Sequence, residues 1–229
     1  MKIIVLDAGH GGRDPGAQGH DLNEKDLVLN LAHRTAKVLK KKFSDVDVRL
    51  TRTNDEFIEL SDRSNRANSW NADAFISLHI NAAASNANGF ESFVYTSVGE
   101  KTGRLQTDLH TALAPLWKNK ARKDRGQKQA NFHVLRETKM PAVLLEFGFI
   151  SNAIDANLLR QTRFLQENAE ALADALASHF NLPLRNNKSV YRIKQDGEQI
   201  GAYAEVESTL KVVSNLMGQN TKKIELELV

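Results

Sequence analysis

Short and almost unbroken apolar runs, each followed directly by a polar residue, constrain the fold of this chain more than any other feature. Such runs occur at residues 3–6, 75–78 and 143–145. Runs of this kind are typical of parallel strands that are buried on both faces of a sheet. Amphipathic helical patterns separate them along the chain. This alternation predicts an α/β fold with a single, mostly parallel sheet flanked by helices.

Periodicity also predicts where the individual elements lie. Strands are expected at residues 2–6, 46–51 and 89–96 and around His79 and Glu146, and helices after residue 24 and at about 60–70, 105–116 and 163–180. On these helices, His33 is expected to face solvent and His110 to lie on the polar side. Both histidines are therefore poor candidates for a site.

Polar residues at the ends of the apolar runs are better candidates. His10 follows the first run on a turn flanked by glycines, and His79 and Glu146 follow the other two runs. Ligand crevices in parallel sheets lie outside the carboxyl ends of the strands, so these three side chains are expected to converge. Glu24 is a fourth candidate, because Asn23 is a suitable N-cap and Glu24 then lies in the first turn of the next helix.

Two histidines and one carboxylate with an open fourth position are typical of a catalytic zinc site. A second carboxylate beside them is suited to act as a general base. Taken singly, each residue has a structural alternative: a turn histidine, a hydrogen-bonded core histidine or an ion-pair partner. The chain has no cysteine, which excludes disulfides, thiolate nucleophiles and cysteine-type zinc sites.

A cluster of basic residues lies between residues 118 and 139. The formal net charge is only +3, but this segment holds Lys118, Lys120, Arg122, Lys123, Arg125, Lys128, Arg136 and Lys139. Such a cluster favours polyanions, either nucleic acid or an anionic cell wall, although a solvated surface is an equal alternative. Without an aromatic stacking platform or a recognised binding motif, we do not expect nucleic-acid binding.

No basic leader with an apolar core precedes the first strand, and no apolar run is long enough to span a bilayer. We therefore expect no membrane insertion, and we expect synthesis in the cytoplasm without a signal peptide.

A change of composition predicts two domains. Residues 1–181 form the expected large domain, residues 182–189 a linker with a proline that ends the last helix, and residues 190–229 a small ββαβ module. Within the module, strands are expected at residues 190–194 and 199–203, because they flank Asp196-Gly197, which is a strong hairpin signal. Residues 205–217 and 223–228 are expected to form a helix and a strand. At about forty residues the module is near the size at which a lone domain needs help to fold, so docking or self-association is expected.

Several blocks carry a resemblance to a known family: residues 5–12, Glu24, and residues 63–68, 75–82 and 141–152. In this order they resemble the zinc-dependent N-acetylmuramoyl-L-alanine amidases of the amidase type 3 family, which occur in bacterial autolysins and phage endolysins. The likeness covers about residues 1–180. It implies one Zn²⁺ held by His10, Glu24 and His79, with Glu146 as the catalytic glutamate.

The resemblance also implies the reaction, which is hydrolysis of the amide bond between N-acetylmuramic acid and L-alanine of peptidoglycan by zinc-activated water. Asn81, Arg66, His133 and Arg136 are predicted substrate contacts. The C-terminal module is similar to small modules of endolysins from phages of Gram-positive bacilli, which implies cell-wall binding or self-association to a homo-oligomer. A structural cap is the alternative.

The leading interpretation is a phage endolysin that acts on the cell wall after release and lyses the host. The alternatives are a secreted autolysin of the same activity whose signal has been trimmed, a sporulation autolysin of the same activity, and a non-catalytic wall-binding protein.

Overall fold

The computed structural model of the chain describes residues 1–185, 191–204, 206–218 and 221–228. The chain divides into two compact units, residues 1–184 and 185–229. Residues 186–189 of the predicted linker lie outside the described residues. The predicted domain limits at residues 181 and 190 therefore stay predictions.

In the first unit, strands and helices alternate along the chain. They are β1 Lys2–Ala8, β2 Gln18–Gly19, β3 Leu22–Asn23, α1 Glu24–Lys42, β4 Val46–Leu50, α2 Leu60–Ser69, β5 Ala74–Asn81, β6 Phe90–Val94, α3 Glu100–Lys118, β7 Asp124–Gln129, α4 His133–Arg136, β8 Ala142–Phe149, α5 Ala153–Arg160 and α6 Thr162–His179. The short strands β2 and β3 pair only with each other among the described residues.

The six-stranded sheet has the order β4-β1-β5-β8-β6-β7. All neighbouring strands are parallel except β6 and β8, which are antiparallel. The predicted α/β fold with a mostly parallel sheet is thus confirmed. Strands β1, β5 and β8 are adjacent, so the segments that carry His10, His79 and Glu146 lie side by side.

Helices cover both faces of the sheet, which explains the unbroken apolar runs. Along β8, Val143 and Leu145 enter the larger core with residues of α1, α3 and α6, whereas Leu144 enters the smaller core with residues of α2 and α4. Successive side chains of a strand point to opposite faces, so a strand covered on both sides must be apolar throughout. Polar residues within such strands therefore need a special explanation.

Five elements and one side chain differ from the sequence-based expectations. Strand β7 lies within the basic segment, and the short strands β2 and β3 and the helices α4 and α5 were not predicted either. Strand β7 has the sequence DRGQKQ, which lacks apolar alternation because it is the edge strand of the sheet, where charged residues are common. The prediction for His110 was wrong: its side chain is buried, because Ser92 and Asp124 supply polar partners inside the fold.

The second unit contains β9 Tyr191–Gln195, β10 Glu198–Tyr203, α7 Val206–Met217 and β11 Ile224–Leu228. They form an antiparallel sheet of order β10-β9-β11. The predicted hairpin is present, with positive φ angles at Asp196 and Gly197. Val190 and Glu205, the first residues of a predicted strand and helix, lie outside the described residues. Of the helices that the structure describes, none has the length and apolar character needed to cross a bilayer.

Candidate metal centre and active site

The loop after β1 holds His10 in an unusual backbone conformation. Its φ is 60°, in the left-handed region that histidine adopts more readily than most residues. This conformation directs the ring between two carboxylates: Nδ1 lies 2.8 Å from Asp14 Oδ2 and Nε2 lies 3.2 Å from Glu24 Oε2. A carboxylate on the far ring nitrogen is the usual partner of a metal-binding histidine. Sequence reasoning missed Asp14, although its spacing of four residues from His10 was a possible signal.

Glu24 is the first residue of α1, and Asn23 occupies the N-cap position in an extended conformation, as predicted. The Glu24 carboxylate is buried and joins the loop before β2 and strand β5 to the site. Its Oε2 accepts a hydrogen bond from Ala17 N at 2.8 Å, and its Oε1 accepts one from Ile80 N at 2.9 Å. The same Oε1 lies 2.9 Å from His79 Nδ1. Glu24 is therefore held by the backbone on both sides while it contacts both histidines.

The charges of the site are coupled. Burial raises the pKa of Glu24, but hydrogen bonds and charge contacts with His10 and His79 outweigh burial and hold its pKa well below the ordinary value. Burial lowers the pKa of His10, but contacts with Glu24 and Asp14 outweigh it and raise the pKa above the ordinary value. Glu24 is thus a carboxylate at neutral pH, which is the form that binds metal ions.

Two glycines allow these side chains to approach each other. A Cβ on Gly9 would lie 2.3 Å from Cε1 of His79, and a Cβ on Gly16 would lie 2.6 Å from Glu24 Oε2 and 2.7 Å from Cδ2 of His10. Gly16 also has a φ of +68°, which favours glycine. The loop is therefore glycine-rich because the packed site leaves no room for side chains there.

The donor set fits a zinc ion. His10, Glu24 and His79 each offer one ligand atom, and these three atoms lie within 4.8 Å of one another. The three residues could therefore hold a metal ion together. In a tetrahedral zinc site, ligand atoms lie about 3.3–3.5 Å apart, so small side-chain adjustments suffice. A cavity of about 350 Å³ lies beside the set, with Phe57, Leu60 and Val134 in its lining. Two nitrogens, one carboxylate oxygen and an open side match a catalytic rather than a structural zinc site.

Glu146 lies next to this set on β8, where it is the register partner of His79 on one side and of Glu91 on the other. Its Oε2 is shielded from solvent and has no hydrogen-bond partner among the described residues. Burial raises the pKa of Glu146 well above its ordinary value, and the charges of Glu24 and Glu91 raise it further. A shielded carboxyl group with a raised pKa is suited to accept and then donate a proton near neutral pH.

Two buried arginines fix the His10 loop from below. Arg63 donates to Asp7 Oδ1 at 2.9 Å and to the carbonyl oxygens of Ala8 and His10, each at 2.6 Å. Arg52 donates to the carbonyl oxygens of Ala8 and Gly9 at 2.9 and 2.8 Å. The guanidinium groups hold three successive carbonyls, so the loop backbone is anchored without using the ligand side chains.

The four predicted substrate contacts lie in different surroundings. Asn81 donates to Glu91 Oε1 at 2.6 Å, and His133 has a shielded Nε2 without a partner among the described residues. Arg66 is exposed on α2 and donates to Thr51 O at 2.5 Å. Arg136 is exposed and donates to Asn131 and Glu137 side chains. The structure thus connects Asn81 to the neighbourhood of Glu146 and gives the two arginines other partners.

A second polar cluster, formed by His110, Ser92 and Asp124, has a structural role. His110 Nδ1 lies 2.9 Å from Ser92 Oγ, and its Nε2 lies 2.9 Å from Asp124 Oδ1. This resembles a serine hydrolase set in composition. Ser92, however, has no exposed surface, so no substrate reaches its hydroxyl group.

The chain matches a known protein family and is similar to individual proteins of known name. Residues 4–178 match the family described as N-acetylmuramoyl-L-alanine amidase. The sporulation-specific N-acetylmuramoyl-L-alanine amidase of Bacillus subtilis (strain 168) is 39% identical over 226 residues, which cover 99% of this chain and 85% of that protein. The endolysin of Bacillus phage SPP1 is 42% identical over 202 residues, which cover 87% of this chain and 73% of that protein.

A solved structure is also similar. The catalytic domain of CwlV, an N-acetylmuramoyl-L-alanine amidase from Bacillus (Paenibacillus) polymyxa var. colistinus, superimposes with a TM-score of 0.74 at 36% identity. The match covers 80% of this chain and 99% of that domain.

Proposed function

The chain belongs to the N-acetylmuramoyl-L-alanine amidase family, and we propose that it hydrolyses peptidoglycan with one Zn²⁺ held by His10, Glu24 and His79. The bond cleaved is the amide between N-acetylmuramic acid and L-alanine of the stem peptide. The single observation that best supports this proposal is the compact ligand set beside the shielded, partnerless carboxylate of Glu146. Neither part alone is specific to this reaction.

When bound, zinc supplies a Lewis acid that polarises the amide carbonyl and lowers the pKa of water in the site to about 7. Glu146 accepts the proton of the water that attacks the carbonyl carbon of the lactyl group. As the C–N bond breaks, the same carboxyl group delivers the proton to the leaving amino group of L-alanine. Asp14 holds His10 through Nδ1, which would leave Nε2 available as the metal ligand.

The surroundings of the four predicted substrate contacts support different roles for them. We propose Asn81 and His133 as contacts to the substrate, because one lies beside Glu91 and the other has a partnerless ring nitrogen. Arg66 and Arg136 stay sequence-based predictions. For the second unit, we propose cell-wall binding or self-association, because it is small and carries the exposed apolar side chains of Val206, Leu210 and Met217.

The biological setting has two candidates. Host lysis as a phage endolysin is one, supported by the similarity to the SPP1 endolysin. A sporulation amidase is the second, supported by the similarity to the Bacillus subtilis protein along nearly the whole chain. The genes beside the coding sequence separate them, since a lysis cassette with a membrane-permeabilising protein supports the first and sporulation-controlled expression supports the second.

The reaction itself is tested with purified Gram-positive peptidoglycan. New L-alanine amino termini without new reducing sugar ends, lost with a chelator and in Glu146→Gln, are the expected result. New reducing ends would mean a glycosidase, and no release from several wall types with zinc supplied would mean a wall-binding protein.

A further inference from the structure

A buried carboxylate next to the proposed catalytic glutamate holds two basic side chains of the edge strand. Glu91, on β6, has a side chain that is only 3% exposed. Its Oε2 accepts a hydrogen bond from Arg125 Nε at 3.0 Å and contacts Lys128 Nζ, while its Oε1 accepts from the Asn81 amide. All four side chains thus meet at one point beside Glu146.

Glu91, Arg125 and Lys128 by themselves carry one positive charge in excess. Glu91 needs only one cation for neutralisation, yet both Arg125 and Lys128 contact it, and their side chains are 28% and 38% exposed. The guanidinium carbon of Arg125 also lies 4.7 Å from the centroid of the Phe149 ring, a second contact that holds the side chain. Within the part of the chain that the structure describes, the terminal nitrogens of Arg125 make no hydrogen bond. Glu91 therefore orients both basic side chains, and their solvent-exposed parts are open to a further anion.

The order of the strands sets the distance from Arg125 and Lys128 to Glu146. Glu91 and Glu146 are register partners, and β7 follows β6 as the next strand. Neighbouring strands lie about 4.8 Å apart, so β7 is about 10 Å from β8. An extended peptide advances about 3.3 Å per residue and covers this distance in about three residues. A substrate peptide that begins at Glu146 and crosses the edge of the sheet brings its second or third residue to Arg125 and Lys128.

We propose that Arg125 and Lys128, positioned by Glu91, bind a carboxylate on the second or third residue of the stem peptide. The proposal rests on the proposed function, because that function places the scissile bond at Glu146. This end of the site selects a substrate with a free carboxylate over one with a carboxamide. Arginine and lysine are the usual partners of such a group, through charge-assisted hydrogen bonds.

The test uses the full chain with zinc in the Glu146→Gln background, so that binding is measured without turnover. Three soluble muropeptides of one sequence serve as probes: one with free carboxylates at the second and third residues, and two with a carboxamide at one of these positions. By calorimetry, the free acid should bind about tenfold more tightly than one of the two amides, the ratio that one charge-assisted hydrogen bond supplies. The amide that loses affinity identifies which residue is recognised.

Substitutions then assign the preference to the pair. Lys128→Met should remove the preference for the acid, Lys128→Arg should retain it, and Lys120→Met, at an exposed lysine of the same basic segment, should leave it intact. Equal affinity for the acid and both amides would overturn the proposal, as would a preference that persists in Lys128→Met and in Arg125→Met. Failure of the proposed function is seen separately, as absence of amino-terminus release by the unsubstituted chain.

Discussion

His79 and Glu146 are direct register partners on the neighbouring parallel strands β5 and β8. Register partners project from the same face of a sheet, so the histidine of the ligand set and the shielded carboxylate share one rigid scaffold. Groups on strands are held more accurately than groups on loops. The geometry between metal ligand and proton carrier therefore depends on the pairing of these two strands.

Replacing Glu146 by glutamine should abolish proton transfer while preserving the shape of the site. A glutamine side chain cannot accept and return the proton, so the rate of amino-terminus release should fall by about a hundredfold to ten-thousandfold. Zinc content, measured by atomic absorption, should stay unchanged. The matched control is Glu170→Gln at an exposed glutamate of α6, which should retain full activity. A loss of less than tenfold in Glu146→Gln would contradict the role of this carboxylate.

Replacing His79 by alanine should lower zinc content and activity together, because the ion loses one of three protein ligands. A chelator should abolish activity of the unsubstituted chain, and added zinc should restore it. His33→Ala is the control: His33 is exposed on α1, and its ring contacts the Thr53 carbonyl, so metal content should not change. Retention of zinc by His79→Ala at the level of the control would argue against the ligand set.

The ligand candidates could be predicted from sequence because each is tied to a local signal. His10 has its glycine flanks, Glu24 its N-cap, and His79 and Glu146 their apolar strands. The supporting residues were not predicted, because Asp14 has only its spacing of four residues from His10 as a signal and Glu91 has no local signal. Asp14 and Glu91 act through contacts that form only when separate elements come together.

The same reason explains two further differences from the sequence-based picture. Strand β7 lacks the alternation of a half-buried strand, because an edge strand with charged side chains needs none. His110 has polar neighbours along its helix, so periodicity places it outside. Its burial depends on Ser92 and Asp124, which reach it from other elements. Local patterns thus predict which elements form, whereas polar networks require the packed structure.

Replacing Gly16 by alanine should disturb the ligand set directly. The new Cβ would lie 2.6 Å from Glu24 Oε2 and 2.7 Å from Cδ2 of His10, at a φ of +68°. We expect weaker zinc binding in a competition titration and a loss of about 1–3 kcal/mol in the free energy of unfolding. Gly103→Ala is the control, since nothing lies within 4 Å of its Cβ and the residue is within helix α3. That change should leave stability unchanged or raise it by about 0.5–1 kcal/mol. Equal zinc affinity in both variants would contradict the packing argument.

Replacing Asp7 by asparagine should leave the buried Arg63 guanidinium without its carboxylate and lower the free energy of unfolding by about 3–5 kcal/mol. Burial raises the pKa of Asp7, but the charge of Arg63 and three side-chain hydrogen bonds outweigh it, so its folded-state pKa lies below the ordinary value. The carboxylate therefore stabilises the fold above its unfolded pKa of about 3.9, and this stability is lost as the pH falls toward the folded pKa.

The difference in unfolding free energy between the unsubstituted chain and Asp7→Asn should consequently be largest near neutral pH and shrink below about pH 4. The free energy of unfolding can be measured by urea titration with tryptophan fluorescence as the signal, because both tryptophans lie within residues 1–184. Asp174→Asn is the control, because it removes a surface ion pair between Asp174 and Lys42, whose side chains are 49% and 42% exposed, respectively. This change should lower the free energy of unfolding by less than about 1 kcal/mol. A difference for Asp7→Asn that stays constant from pH 7 to pH 3 would mean that the carboxylate charge is not what anchors Arg63. The His10 loop would then depend on the carbonyl hydrogen bonds of Arg63 and Arg52 alone.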